Sequence, residues 1–297
     1  MRVFLAGGTG LVGSAIIPEL INSGHQVLGL ARSETSARAL LSAGAEVLMG
    51  TLEDVSAVSE GARRADGVIH CAFDLDFANF EQSSETERLA IAAFGASLAG
   101  STRPLIVSSG LGLASPIRPI TEDVDAPAVS ASPRGPEQAV RSLRQQGINA
   151  TIVRLPQVHN TVKQGLITTL IGVARKTGAS AYVNEGLARW PAAHVTDVAR
   201  LYRLALEKGE ASTYHAVSEE GIHLRDIAAA IGRGLRVPVT SISSEEAQAR
   251  FGRIGGYVGM DLSASSAWTQ ERLGWTSVGP GLLEDLDRMR YFDNSGS

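Results

Sequence analysis

The sequence predicts an α/β protein built on a doubly wound parallel sheet, with a smaller, mostly helical region towards the C-terminus. Three observations carry that expectation. Up to Leu155, short aliphatic and β-branched runs alternate with longer amphipathic stretches, the pattern of a parallel sheet covered by helices on both faces. A glycine cluster, Ala6-Gly7-Gly8-Thr9-Gly10-Leu11-Val12-Gly13, falls directly between the first such run and the first amphipathic stretch. Beyond Pro156 the alternation gives way to helical stretches joined by irregular pieces.

In chain order, Arg2–Ala6 reads as a strand, Gly10–Asn22 as a helix and Gln26–Ala31 as a second strand. Ser33 is placed to cap a helix running to about Ser42, since its hydroxyl accepts from an otherwise unpaired amide. Glu46–Met49 follows as a strand and Leu52–Ala62 as a helix. Gly67–Ala72 and Leu105–Ser108 are buried strands, separated by a helix over Phe80–Leu98. A loop rich in Pro, Ser and Asp spans Gly110 to Pro136, and helix Glu137–Gln146 and strand Ala150–Leu155 complete the sheet. Further helices are expected near Val162–Lys176, Val195–Leu206, Leu224–Gly234, Glu245–Phe251 and Gly281–Met289, with short strands at Tyr182–Asn184 and Thr213–Ala216. This divides the chain into a dinucleotide-binding domain over residues 1–160, onto which 191–208 packs back, and a substrate-binding region over 161–190 and 209–297.

Of 297 residues, 44% are hydrophobic and 20% charged, an ordinary globular balance with material for a sizeable core. A net charge of −4 without a basic run offers no footprint for nucleic acid. Cys71 is the only cysteine, so neither a disulfide nor a cysteine metal site can form. The six histidines are scattered, without an HExxH pattern, and no metal is expected. No apolar run reaches the ~20 residues of a membrane span, and glycines follow Ala6 too soon for a signal peptide's apolar core. The expectation is a soluble cytoplasmic protein, monomer or homodimer, whose partner is a small-molecule substrate rather than nucleic acid or membrane.

The glycine cluster has a chemical reading. A phosphate needs unpaired backbone amides, the positive end of a helix dipole and no β-carbon in the way. Gly7 suits the tight turn, Gly10 close approach and Gly13 packing of the helix on the sheet, as in a Rossmann-type domain. Gly7, Thr9, Gly10, Leu11 and Val12 are therefore the expected pyrophosphate contacts. At the end of the second strand, NAD selectivity requires a carboxylate for the ribose hydroxyls. The chain reads Leu30-Ala31-Arg32-Ser33 there. A guanidinium that forks onto a 2′-phosphate, with a hydroxyl beside it, points to NADP(H) through Arg32 and Ser33.

With these residues in view, the chain resembles the short-chain dehydrogenase/reductase superfamily in its extended or atypical, epimerase/dehydratase-like form. The spacing of Gly7, Gly10 and Gly13 fits the extended type. Gly50-Thr51-Leu52-Glu53-Asp54 is similar to the family's segment beside the adenine, and Val68-Ile69-His70-Cys71-Ala72-Phe73 to the strand beside the cofactor ribose. Val153-Arg154-Leu155-Pro156 resembles the strand and proline near the nicotinamide, and Trp190–Arg200 and Leu273-Gly274-Trp275 recur in relatives. The resemblance adds Leu52, Cys71, Ala72, Phe73, Ser108 and Pro156 to the expected cofactor contacts.

The family's catalytic tyrosine, followed four residues on by a lysine, is missing. The lysines are Lys163, Lys176 and Lys208, and none has a tyrosine four positions before it. Where the pair belongs, the chain reads Ser132-Pro133-Arg134-Gly135-Pro136-Glu137-Gln138. Arginine does not surrender a proton near neutral pH. The usual hydroxyl position aligns with Gly110, next to Ser109.

Three residues are candidates for the chemistry. Ser109 would orient a carbonyl or else bond the local backbone. Arg134 would bind a carboxylate or an enolate, or else pair with Glu137 or Glu122. His159, three residues past Pro156, would replace the tyrosine as acid/base or else be structural. The leading expectation is an NADP(H)-dependent oxidoreductase acting on a small or medium carbonyl-containing metabolite. The alternatives are an epimerase, dehydratase or cyclase on the same scaffold, and a non-catalytic NADP(H) sensor.

Overall fold

The computed structural model describes residues 1–73, 79–111, 118–124 and 135–289. Strand β1 (Arg2–Ala6) is followed by α1 (Leu11–Asn22), β2 (Gln26–Ala31), α2 (Glu34–Ser42), β3 (Glu46–Met49), α3 (Val55–Arg63) and β4 (Gly67–His70). Then come α4 (Phe80–Leu98), β5 (Leu105–Gly110), α5 (Pro136–Gln145) and β6 (Ala150–Leu155). These strands pair in parallel in the order β6-β5-β4-β1-β2-β3. The order reverses between β1 and β4, which makes the crevice outside their carboxyl ends the place for a dinucleotide.

Successive strand residues face opposite layers, and β1 shows it. Val3 and Leu5 join Ile16, Ile17 and Leu20 of α1 in one core, whereas Phe4 and Ala6 join Val58 of α3 and Phe94 of α4 in the other. Both layers are sealed, so the sheet holds its strand ends in fixed positions.

The remaining chain forms β7 (Gln157–His159), α6 (Gly165–Thr177), β8 (Ser180–Val183), β9 (Arg189–His194), α7 (Val195–Lys208) and β10 (Thr213–His215). It continues through β11 (Glu219–His223), α8 (Leu224–Leu235), β12 (Val239–Ile242), α9 (Ser244–Phe251), α10 (Gly255–Val258), α11 (Ala267–Leu273) and α12 (Leu282–Asp287). Helix α7 returns to α1, where Arg203 Nε donates to Glu19 Oε1 at 2.7 Å.

Two placements differ from expectation. Thr213–His215, assigned by sequence to the substrate-binding region, is instead the edge strand of the main sheet, parallel to β6. The C-terminal region also carries two small sheets, β11-β9-β7 and β12-β8, between its helices. Its own core gathers Trp190, Ile171, Ile231, Phe251 and Leu286. Among the described residues no helix is long and apolar enough to cross a membrane.

Candidate cofactor and active site

The turn after β1 is built so that only glycine fits at two places. Gly7 has φ of +102°, and a β-carbon there would lie 2.6 Å from Ala72 N and 2.8 Å from Cys71 C. A β-carbon on Gly13 would lie 2.1 Å from Gly7 O. The first turn of α1 therefore rests directly on the glycine turn, which Gly10 N closes by donating to Gly7 O at 3.0 Å. Gly10 caps α1 without a side-chain hydrogen bond, and no acidic residue stands in the first turn. The amides of Leu11 and Val12 have no intrahelical acceptor, and the helix dipole adds positive potential. This geometry fits a pyrophosphate held by backbone amides.

At the end of β2, Arg32 is exposed beside the start of α2. Ser33 is its N-cap: Ser33 Oγ accepts from Ser36 N at 3.2 Å, and Ser33 N donates to Ser36 Oγ at 3.0 Å. Part of Ser33's hydrogen-bonding capacity is thus spent on the helix. Glu34, exposed in the first turn of α2, is the first carboxylate after the strand. Leu52 is half-buried against the α3–α4 layer.

Cys71 lies against β1, its amide donating to Ala6 O at 2.9 Å and its Sγ to the same oxygen at 3.4 Å. Burial pushes the Cys71 thiol up to about 12, so it is a neutral wall rather than a nucleophile. Ala72, Phe73 and Pro156 are half-buried. The Phe73 ring meets Phe80 edge-on at 5.4 Å.

The expected contact at Ser108 needs correcting at its side chain. Its Oγ donates to His70 O at 3.0 Å and lies 2.6 Å from Tyr202 Oη of α7. The hydroxyl is sealed in the layer opposite Ser109. Ser109 is 6% exposed and stands in register with Arg154 of β6. Arg134, with most of the loop expected over Gly110–Pro136, lies outside the described residues.

His159 requires a fuller correction. Its ring is 0% exposed, and its Nδ1 lies 2.7 Å from Asp285 Oδ2 of α12. An acid/base must reach its substrate, and this imidazole is closed in between β7 and the C-terminal helix. The structure thus supports the structural reading of His159. His194 caps α7, its Nδ1 accepting from Thr196 N at 3.4 Å. Asp197 accepts from Val278 N at 3.0 Å and Gly279 N at 2.9 Å.

The two carboxylates offered as partners for Arg134 are both engaged. Glu122 accepts from Thr269 N at 3.0 Å, and Glu137 is gripped by Arg154, whose Nε and Nη2 donate to it at 3.0 and 2.8 Å. Arg154 is 2% exposed. Sequence reading placed it only as part of a strand, although a charge inside the buried run Thr151-Ile152-Val153-Arg154 announces a partner.

Two imidazoles make the fold sensitive to acid. Burial, with the Arg154 charge second, brings His215 down to about 4, and burial likewise lowers His159. Unfolded, both bind protons near pH ~6.5. The stability contributed by keeping them neutral is therefore full above that value and, for His215, lost as the pH falls from there towards about 4. The urea midpoint should drop between pH ~7.5 and ~5, and His215→Gln, which cannot titrate, should remove part of the drop. A flat midpoint across that range contradicts the assignment.

Residues 7–190 match the model of a family described as NAD(P)H-binding. An uncharacterized protein of Schizosaccharomyces pombe is 41% identical over 295 residues, covering 98% of this chain and 100% of that protein. The sterol-4-alpha-carboxylate 3-dehydrogenase (decarboxylating) of Dictyostelium discoideum is 30% identical over 245 residues, 75% of this chain and 73% of that one. In fold, the chain is similar to a dTDP-glucose 4,6-dehydratase of Streptomyces venezuelae solved with NAD bound, at a TM-score of 0.77 and 18% identity, covering 99% and 98% of the two chains. With its glycine turn, its doubly wound sheet and these relatives, the chain belongs to the NAD(P)H-binding family, in a fold like that of the dehydratase and without the tyrosine-lysine pair sought in its sequence.

Proposed function

We propose that the protein is an NADP(H)-dependent oxidoreductase that reduces or forms the carbonyl of a small or medium metabolite. The observation that carries the cofactor choice is the end of β2, where Arg32 stands beside the N-terminus of α2 and no carboxylate ends the strand. A 2′-phosphate would find there a guanidinium and a positive helix end. The likeness to a dehydrogenase of Dictyostelium supports redox chemistry.

When bound, the nicotinamide supplies or accepts hydride at C4. Gly7, Thr9, Gly10, Leu11 and Val12 hold the pyrophosphate, while Leu52, Cys71, Ala72, Phe73 and Pro156 wall the rest of the cofactor. Ser109 donates its hydroxyl to the substrate oxygen, Arg134 stabilises the charge that develops on it, and water delivers the proton. The protein works as a monomer or homodimer in the cytoplasm on a small-molecule substrate.

A carbonyl panel followed by NADPH absorbance tests this reading. Turnover of at least one ketone or aldehyde is expected. Silence across the panel with intact NADPH binding would favour a sensor. Conversion of a substrate without net NADPH loss would favour an epimerase or dehydratase. On a confirmed substrate, Ser109→Ala should lower kcat about tenfold, the worth of one hydrogen bond, and leave NADPH affinity unchanged. Unchanged kcat removes Ser109 from the chemistry.

A further inference from the structure

Arg154 is a buried charged side chain with no role in the proposed chemistry, and its surroundings are unusual. Every donor of its guanidinium meets an acceptor. Nε and Nη2 grip the Glu137 carboxylate at 3.0 and 2.8 Å. Nη2 also donates to Val124 O at 2.7 Å, and Nη1 donates towards Thr121 O at 3.5 Å. The last donor meets His215 Nε2 at 3.1 Å, while His215 Nδ1 donates to Ser265 O at 2.8 Å. The network thus fixes the neutral tautomer of His215. Its low proton affinity, set by burial and by the Arg154 charge, keeps the Nε2 lone pair available as an acceptor.

Burying such a group is costly, and a well-packed apolar side chain is often the more stable choice. Lysine could not replace it, because only the planar fork serves five acceptors in fixed directions. Its partners indicate its purpose. Val124 and Glu137 flank residues 125–134, so one side chain anchors the chain on both sides of the stretch that carries Arg134. The third tie, His215, comes from the edge strand. Arg154 also stands in register with Ser109 on the neighbouring strand. Glu137 sits in the first turn of α5, where the family's tyrosine-lysine pair would stand.

We propose that Arg154 is a positioning residue of the active site: its buried guanidinium holds residues 121–124 and the start of α5 in fixed relation to Ser109. The inference rests on the proposed function, since only a reaction at Ser109 gives Arg154 something to position. It predicts a separation between chemistry and cofactor binding. The pyrophosphate turn follows β1 and Arg32 follows β2, strands other than the one that carries Arg154.

The experiment compares Arg154→Met, Glu137→Gln and the double variant Arg154→Met with Glu137→Leu, all in the full chain. The double variant replaces the ion pair by apolar side chains of similar bulk, so it should remain folded. On a substrate found in the carbonyl panel, Arg154→Met and the double variant should lower kcat about 30-fold, and Glu137→Gln should lower it less. The Kd for NADPH, read by fluorescence titration, should stay within twofold for all three. Hydrogen–deuterium exchange with NADPH present should show loss of protection at residues 118–124 and 135–140 together.

A kcat within twofold of the unaltered protein in the double variant overturns the proposal. So does a loss of NADPH affinity that parallels the loss of kcat. Should the unaltered protein turn over no carbonyl, the proposed function fails by itself. Exchange then decides: protection lost at both segments keeps Arg154 as their anchor, and unchanged protection at either one overturns it.

Discussion

Replacing Arg32 with aspartate is expected to invert the cofactor preference, moving the ratio of NADPH to NADH affinity by roughly a thousandfold. Two effects act in the same direction. Removing a guanidinium from a phosphate forfeits a charge-assisted contact of about 1.5–3 kcal/mol, or about 10–100-fold in Kd. The new carboxylate would repel the 2′-phosphate of NADPH, yet would accept from both ribose hydroxyls of NADH. Arg32 is exposed at the end of β2 and lies outside both core layers. The substitution should therefore leave the melting temperature nearly unchanged. Paired titrations of the two cofactors, on the unaltered protein and the variant, give the ratio directly. Equal affinity for both cofactors in the unaltered protein would remove the case for NADP(H). Equal losses for both in the variant would mean that Arg32 touches the part they share. Ser33 is the weaker element of the site, since its hydroxyl is shared with the cap of α2.

The main sheet was legible where an aliphatic run is bounded by polar or glycine breaks. β1, β2, β3 and β6 fall on the expected residues. β1, β2 and β6 are buried on both faces or nearly so, and apolar content alone marks such strands. The half-exposed edge strand β3 is marked by its short run Val47-Leu48-Met49. β11, Glu219-Glu220-Gly221-Ile222-His223, has no such mark and exists through its pairing with β9. β7 and β12 are also short strands held by a neighbour rather than by their own pattern. Thr213–His215 was readable as a strand but not as part of the main sheet, because its partner β6 lies about 60 residues back and no local signal carries that distance.

The site shows the same division. The glycine turn and the β2 end are local and readable, whereas the fate of each polar side chain depends on what folds over it. His159 is close to Pro156 in sequence, but alternation along β7 decides its direction. Val158 faces the main core, and His159 turns the other way to Asp285, 126 residues further on. Ser108 and Ser109 are neighbours with opposite fates for the same reason. One meets Tyr202 of α7, and the other stands beside Arg154.

Gly13→Ala tests whether the turn is what holds the cofactor, and here propensity and packing oppose one another. In an unconstrained helix interior, alanine is favoured over glycine by about 1 kcal/mol, so the substitution would stabilise α1. The added β-carbon, however, would lie 2.1 Å from Gly7 O, 2.7 Å from Gly7 C and 2.8 Å from Gly8 Cα. All three are backbone atoms, so no side chain can swing aside. The first turn of α1 has to retreat from the glycine turn, by about 1 Å to restore ordinary contact. That shift is enough to spoil amide hydrogen bonds to a bound pyrophosphate. The variant should be destabilised by about 1–3 kcal/mol, the usual cost of overpacking. Its NADPH affinity should fall about 100-fold. Gly24→Ala supplies the contrast: Gly24 has φ of +82° but nothing within 4 Å of an added β-carbon. That change should cost about 1 kcal/mol of backbone strain and spare cofactor binding. If Gly13→Ala is destabilised to the same small extent and binds NADPH as tightly as Gly24→Ala does, the pyrophosphate does not sit on the start of α1. A large loss of affinity confined to Gly13→Ala instead ties binding to the contact between Gly13 and Gly7.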